Sequence, residues 1–80
     1  MKAYRYSSPD STFVIYPNNG WWGLMINGEK YNDYASPQEA AYDVSAQNTG
    51  NTSWDSLENV EDTPESLDNW EPIDYVEGEV

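Results

Sequence analysis

Up to Tyr34, apolar and aromatic residues come in short runs separated by turn residues, the pattern of a small antiparallel sheet. Thr12-Phe13-Val14-Ile15-Tyr16 is β-branched and aromatic and suits a strand, and Pro17-Asn18-Asn19-Gly20 supplies the turn after it. Trp21 to Ile26 predicts the next strand. Asn27-Gly28 follows directly, the dipeptide that best tolerates the positive φ angles of a tight hairpin, so Glu29 to Tyr34 is expected to return alongside. Ala3-Tyr4-Arg5-Tyr6 adds a fourth strand at one edge, joined through Ser8-Pro9-Asp10-Ser11.

After Ser36 the apolar residues recur at spacings of three and four. Ser36 is placed to cap a helix, Pro37 to occupy its first position, and Glu39 to bond back to the cap. Ala40, Ala41 and Val44, continuing to Gln47 or Asn48, then form a narrow apolar stripe that lets the helix lie close on a sheet. The expected helix spans 37–47, with Gly50 ending it in a left-handed conformation. Beyond Gly50 the pattern weakens. Thr52-Ser53-Trp54 reads as a last short strand, and Thr63-Pro64-Glu65 as the start of a turn or two of helix over Pro64 to Asn69. Ser56-Leu57-Glu58-Asn59 and Ser66-Leu67-Asp68-Asn69 echo each other, and we read them as two acidic turns, each anchored by one Leu.

With 80 residues and no Cys, the chain has a thin core and no disulfide to support it. Aromatic residues must substitute. Four Trp, seven Tyr and one Phe are present, and each buried ring removes about 150–250 Å² from water. The opening MKAYRYSSPDS has no apolar run of signal-peptide length, and nowhere do 18 apolar residues follow one another. The expectation is a soluble protein in the cytoplasm of a bacterial host cell, in which the sequon-like Asn51-Thr52-Ser53 is chance.

Charge divides the chain. The net charge is −12, and every Lys and Arg falls at or before residue 30, leaving the second half purely acidic. Such a field repels nucleic acid and anionic membranes and speeds encounter with basic surfaces. Much chemistry is excluded as well. Without His or Cys neither a Ser–His nor a Cys–His nucleophile can be assembled, and the usual zinc ligands are missing. No phosphate-binding glycine loop or calcium-loop spacing occurs, and a carboxylate pair for glycoside hydrolysis would need a cleft that so small a domain hardly offers. Tyr4, Tyr6, Tyr16, Trp21 and Trp22 could resemble an RNA-stacking platform, but three cations are too few to hold the phosphates. No enzyme activity and no cofactor or metal are expected.

From Trp54 to Val80 there are ten carboxylates and no cation. Asp55, Glu58 and Glu61 are three apart, as are Asp62, Glu65, Asp68, Glu71, Asp74 and Glu77. Such spacing is within the range that could imitate a phosphate backbone. A charge run of this kind is ordinarily a solvated tail. Against that, Trp54, Leu57, Val60, Leu67, Trp70, Ile73, Tyr75 and Val76 recur among the acids, so the segment is expected to dock and hold its carboxylates outward.

The run Tyr34-Ala35-Ser36-Pro37-Gln38-Glu39-Ala40-Ala41-Tyr42-Asp43-Val44, with Thr49-Gly50 and Trp54-Asp55, resembles a group of short acidic bacterial and phage proteins sharing Y-x-S-P-x-x-A-A-x-D-V, T-G and W-D. That resemblance covers about a third of the chain and implies a fold, not a mechanism. In size and acidity the chain is also similar to anti-CRISPR and anti-restriction inhibitors, several of which imitate nucleic acid.

The expectation is therefore an α+β fold: a three- or four-stranded antiparallel meander and one helix over residues 1–54, with an acidic segment, 55–80, docked on it as part of one domain. Trp54, Leu57, Leu67 and Trp70 are the expected anchors. Asp55, Glu58, Glu61, Asp62, Glu65, Asp68, Glu71 and Asp74 are the expected contacts to a basic nucleic-acid-binding protein, a CRISPR effector among the candidates, with no direct binding of nucleic acid or membrane. The alternative is a structural or adaptor domain that holds a protein partner on its aromatic sheet face, the acid serving only solubility.

Overall fold

The computed structural model describes residues 2–9, 11–57 and 66–75. Five strands, β1 (Lys2–Ser7), β2 (Thr12–Asn18), β3 (Trp21–Ile26), β4 (Glu29–Tyr34) and β5 (Glu71–Asp74), form one antiparallel sheet in the order β4-β3-β2-β1-β5. Helix α1 (Pro37–Ser45), a one-turn helix α2 (Thr52–Asp55) and a 3₁₀ turn (Leu67–Asn69) complete the α+β fold.

Local chemistry accounts for the hairpins. Asn19 and Gly20 have φ of 52° and 87°, and Asn27 and Gly28 have 53° and 87°. Both are two-residue turns with two left-handed positions, whose twist matches that of the strands they join. Asn27 also accepts a hydrogen bond from the Thr12 amide at 3.0 Å, which ties the second turn to the start of β2.

In antiparallel pairing, facing residues share a side of the sheet. Tyr4 and Tyr6 of β1, Phe13 and Ile15 of β2, and Trp22, Leu24 and Ile26 of β3 all point to the side that carries α1. Between Leu24 and Met25 the register to β4 slips by one residue, making Tyr31 the extra one. This bulge lets Tyr31 and Tyr34, an odd number of positions apart, face the same side. Phe13 is the centre of the core: the Trp54 ring meets it edge-on at 4.7 Å, and Tyr6 and Trp70 lie 6.0 and 6.3 Å away.

Helix α1 starts as its sequence requires, with the reciprocal Ser36–Glu39 capping box and Pro37 in the first turn. Ala40, Ala41 and Val44 are fully buried against the sheet. The helix ends at Ser45, two residues before the expected 47, and Gln47, not Gly50, takes the left-handed conformation next to its end (φ 55°). From there its side-chain amide donates to the carbonyls of Trp54 and Leu57 at 2.8 and 2.9 Å, bonds a continuing helix would forgo. Gly50 (φ 93°) turns the chain a second time. Thr52-Ser53-Trp54 is helical and not a strand, because the Asn51 side chain accepts from the Trp54 amide at 3.0 Å and caps it.

The fifth strand exceeds the expected three or four and comes from the acidic half. It covers β1, which therefore is not an edge. Of its four residues only Ile73 is half-buried and one is Pro72, a pattern tolerated at a sheet edge. The two Ser-Leu echoes also differ in role. Ser56 closes α2 while Ser66 caps the 3₁₀ turn; Pro64 and Glu65 lie outside the described residues.

On the side that carries no helix among the described residues, here called helix-free, Tyr16 lies across Gly23, and Tyr75 stacks on Tyr16 at 5.3 Å. Ala3, Met25, Val14 and Ile73 complete this smaller cluster. A Cβ at Gly23 would sit 2.5–2.8 Å from the Tyr16 ring. Gly23→Ala should therefore displace Tyr16 and lower stability by about 1–3 kcal/mol, the range for overpacking. An unchanged urea midpoint for this variant would show that Tyr16 does not rest on Gly23.

Candidate functional site

Trp54, Leu67 and Trp70 are buried and Leu57 is half-buried, all on the α1 side of the sheet. The chain is thus anchored on that side both before and after the run of Glu58, Glu61, Asp62 and Glu65, which itself lies outside the described residues.

The described carboxylates of the acidic half do not form one row. Asp55 turns inward: its two oxygens accept from the Thr49 amide at 3.0 and 3.1 Å, the Thr49 hydroxyl at 2.9 Å and the Gly50 amide at 2.9 Å. It clamps the loop between α1 and α2, and its oxygens are already occupied. Asp68 is exposed on the 3₁₀ turn. Glu71 and Asp74 are three apart on a strand, so they fall on opposite faces. Glu71 pairs with Arg5 at 2.9 Å on the helix-free side, while Asp74 lies opposite Lys2. Because an interval of three suits a helix or an extended screw but alternates across a sheet, the spacing loses its regularity in β5.

Asp55→Asn keeps the size of the side chain but can accept on one oxygen only. It is expected to cost about 1–3 kcal/mol, the range for hydrogen bonds to a charged group, and to do so without reducing any partner affinity. A urea titration measures the first and any binding assay the second.

Charge is distributed unequally over the two faces. Arg5 and Lys30 both stand on the helix-free side, paired with Glu71 and with Asp33 at 2.8 Å. The hydrogen bond from Lys30, with a second from Asn18, holds the Asp33 carboxyl below its ordinary pKa. Lys2 lies 5.6 Å from the centre of the Tyr4 ring. Around α1, by contrast, Glu39, Asp43 and Asp68 have no ion-pair partner among the described residues. Glu39 serves the helix cap.

Between β4 and α1 runs an open groove of about 620 Å³, lined among others by Tyr34, Gln38, Glu39, Tyr42 and Asp43. Tyr34 lines it, 9% exposed, with its hydroxyl closed off from solvent. Burial, and then a hydrogen bond to the neighbouring Asp43 carboxylate, push that phenol far above its usual pKa. The Tyr42 ring stands 57% exposed at the rim. Sequence reasoning assigned none of these residues to a site. The available signal was Asp43, an acid directly beside the buried stripe of Ala40, Ala41 and Val44.

Among the described residues no group of three or more metal-ligating side chains comes together, and no helix is long and apolar enough to cross a membrane. In comparisons with known proteins the chain matches no family, no curated protein and no solved structure.

Proposed function

We propose that this protein is a non-enzymatic acidic inhibitor that occupies a basic, nucleic-acid-binding surface of another protein, as an anti-CRISPR or other phage anti-defence protein does. The observation that carries the reading is the separation of charge. Two of the three cations are consumed in ion pairs on the face opposite α1, while the α1 side keeps carboxylates without an ion-pair partner among the described residues and anchors both flanks of the acidic run. A surface of one sign on a rigid support steers an oppositely charged partner and loses little entropy on binding it.

Guide-loaded CRISPR effectors and basic restriction complexes are the targets to test, since both hold nucleic acid in positively charged channels. Added at micromolar concentration in 50 mM salt, the protein should displace target DNA from a susceptible complex, and the inhibition should weaken steeply by 200 mM, as phosphate contacts do. Absence of competition across such a panel at low salt, or competition indifferent to salt, overturns the reading.

A second reading rests on Trp21, 55% exposed on the helix-free face beside the Tyr16–Tyr75 stack. There an adaptor would hold an apolar partner with little salt dependence. Trp21→Ala would abolish that binding and leave charge-driven competition intact.

A further inference from the structure

At the Asn27-Gly28 end of the sheet, beside α2, lies a second cavity of about 430 Å³, within the range of small-ligand sites. Three of the polar side chains lining it are each held by the fold through one atom and keep another for a ligand. Asn51 accepts from the Trp54 amide through Oδ1 at 3.0 Å, while its Nδ2 has no hydrogen-bond partner among the described residues. The Asn27 Oδ1 accepts from the Thr12 amide at 3.0 Å, and its Nδ2 has only a long contact of 3.5 Å to the Ser11 hydroxyl. Glu29 accepts from the Tyr31 hydroxyl at 3.1 Å through one oxygen, which leaves the other open. Groups fixed in advance lose little entropy when a ligand arrives.

Tyr31 lines the same cavity, and it is the extra residue of the β4 bulge, set on the α1 side. Bulges re-aim side chains next to binding sites. Here the bulge brings an aromatic ring to a cavity that already holds two amide donors, a carboxylate acceptor and the Ser53 hydroxyl. Donors and acceptors together, with apolar surface from Tyr31 and Leu57, complement a ring that carries C–H groups on its faces and hydroxyls around its edge.

We infer that this cavity is a binding site for a neutral sugar ring, with Asn27 and Asn51 donating to its hydroxyls, Glu29 accepting from them and Tyr31 against its apolar face. An anionic sugar is disfavoured, because the chain carries a net charge of −12 and no Lys or Arg is among the described residues that line the cavity. The site goes beyond the inhibitor reading and does not rest on it.

The test is an amide NMR titration of the full chain with methyl β-glucopyranoside, methyl β-galactopyranoside and methyl α-mannopyranoside. N-acetylneuraminic acid controls for charge, and tetrahydropyran for the hydroxyls. At least one neutral glycoside should give saturable shifts centred on Asn27, Glu29, Tyr31, Asn51 and Ser53, with each control weaker by roughly tenfold or more, the factor that one lost hydrogen bond to a charged group supplies. Asn51→Asp keeps the oxygen that caps α2 but removes the amide donor, so it should weaken the same glycoside by roughly tenfold with the folded spectrum retained. Glu29→Gln, at an exposed position, should do likewise. Absence of saturation with all three glycosides, shifts centred instead on Tyr34, Gln38 and Tyr42, equal binding of either control, or parental affinity in Asn51→Asp and Glu29→Gln alike would each overturn the site.

Discussion

Trp54→Ala is expected to remove about 3–5 kcal/mol of stability and to move the urea midpoint sharply downward. Trp54 is 1% exposed, packs edge-on against Phe13 at 4.7 Å, and donates its indole N–H to the Val44 carbonyl at 3.0 Å. One side chain thus joins the sheet, the end of α1 and the loop that Asp55 clamps. Truncating a buried Trp costs about 3–5 kcal/mol. A chain of this length has only roughly 4–12 kcal/mol in total, at about 0.05–0.15 kcal/mol per residue. The loss therefore consumes a large share of the stability. Trp54→Phe keeps a ring against Phe13 and gives up the hydrogen bond and some volume, so it should fall between the parent and Trp54→Ala. Trp21→Ala, at an exposed position, should stay within about 0.5 kcal/mol. Urea unfolding followed by far-ultraviolet circular dichroism ranks the three variants, and a midpoint for Trp54→Ala equal to that of the parent would remove Trp54 from the core.

The elements that were legible in the sequence are those whose determinants are local. Asn27-Gly28 dictates its own turn, and Ser36, Pro37 and Glu39 form a capping box from residues within one helical turn. The apolar runs of β2 and β3, bounded by turn residues, mark them as strands without reference to the rest of the chain. What was not legible depends on partners distant in sequence. The end of α1 is decided by carbonyls seven and ten residues beyond Gln47. Thr52 to Asp55 becomes helical through the Asn51 cap and the burial of Trp54, although its composition also fits a strand. β5 exists because β1 offers it a free edge; its own sequence, mostly acids with a proline, argues against a strand.

The same division holds for the site. That the acidic half carries aromatic anchors could be read directly, but the direction of each carboxylate could not. Asp55 looked equivalent to its neighbours and is instead bonded to Thr49 and Gly50. Glu71 and Asp74 shared a period with the rest, yet strand geometry sends them to opposite faces. Asp43 stood outside the run altogether and is the acid beside the groove. A periodic charge pattern fixes a surface only after the secondary structure beneath it is known.

Neutralising Glu58, Glu61, Asp62, Glu65 and Asp68 to Gln or Asn tests the acidic surface while sparing Asp55 and Glu71, whose carboxylates are engaged within the fold. Folding should be retained or slightly improved, because the parent carries a net charge of −12 and removing five like charges relieves repulsion. Association with the basic partner should slow by roughly 10- to 1000-fold at low salt, the range that electrostatic steering supplies, and its dependence on salt should flatten. Stopped-flow association at two salt concentrations separates this outcome from simple unfolding, which circular dichroism would reveal. If the five-fold variant associates as fast as the parent at low salt, the acid serves only to solubilise the domain, and the binding face must be sought around Trp21 on the other side of the sheet.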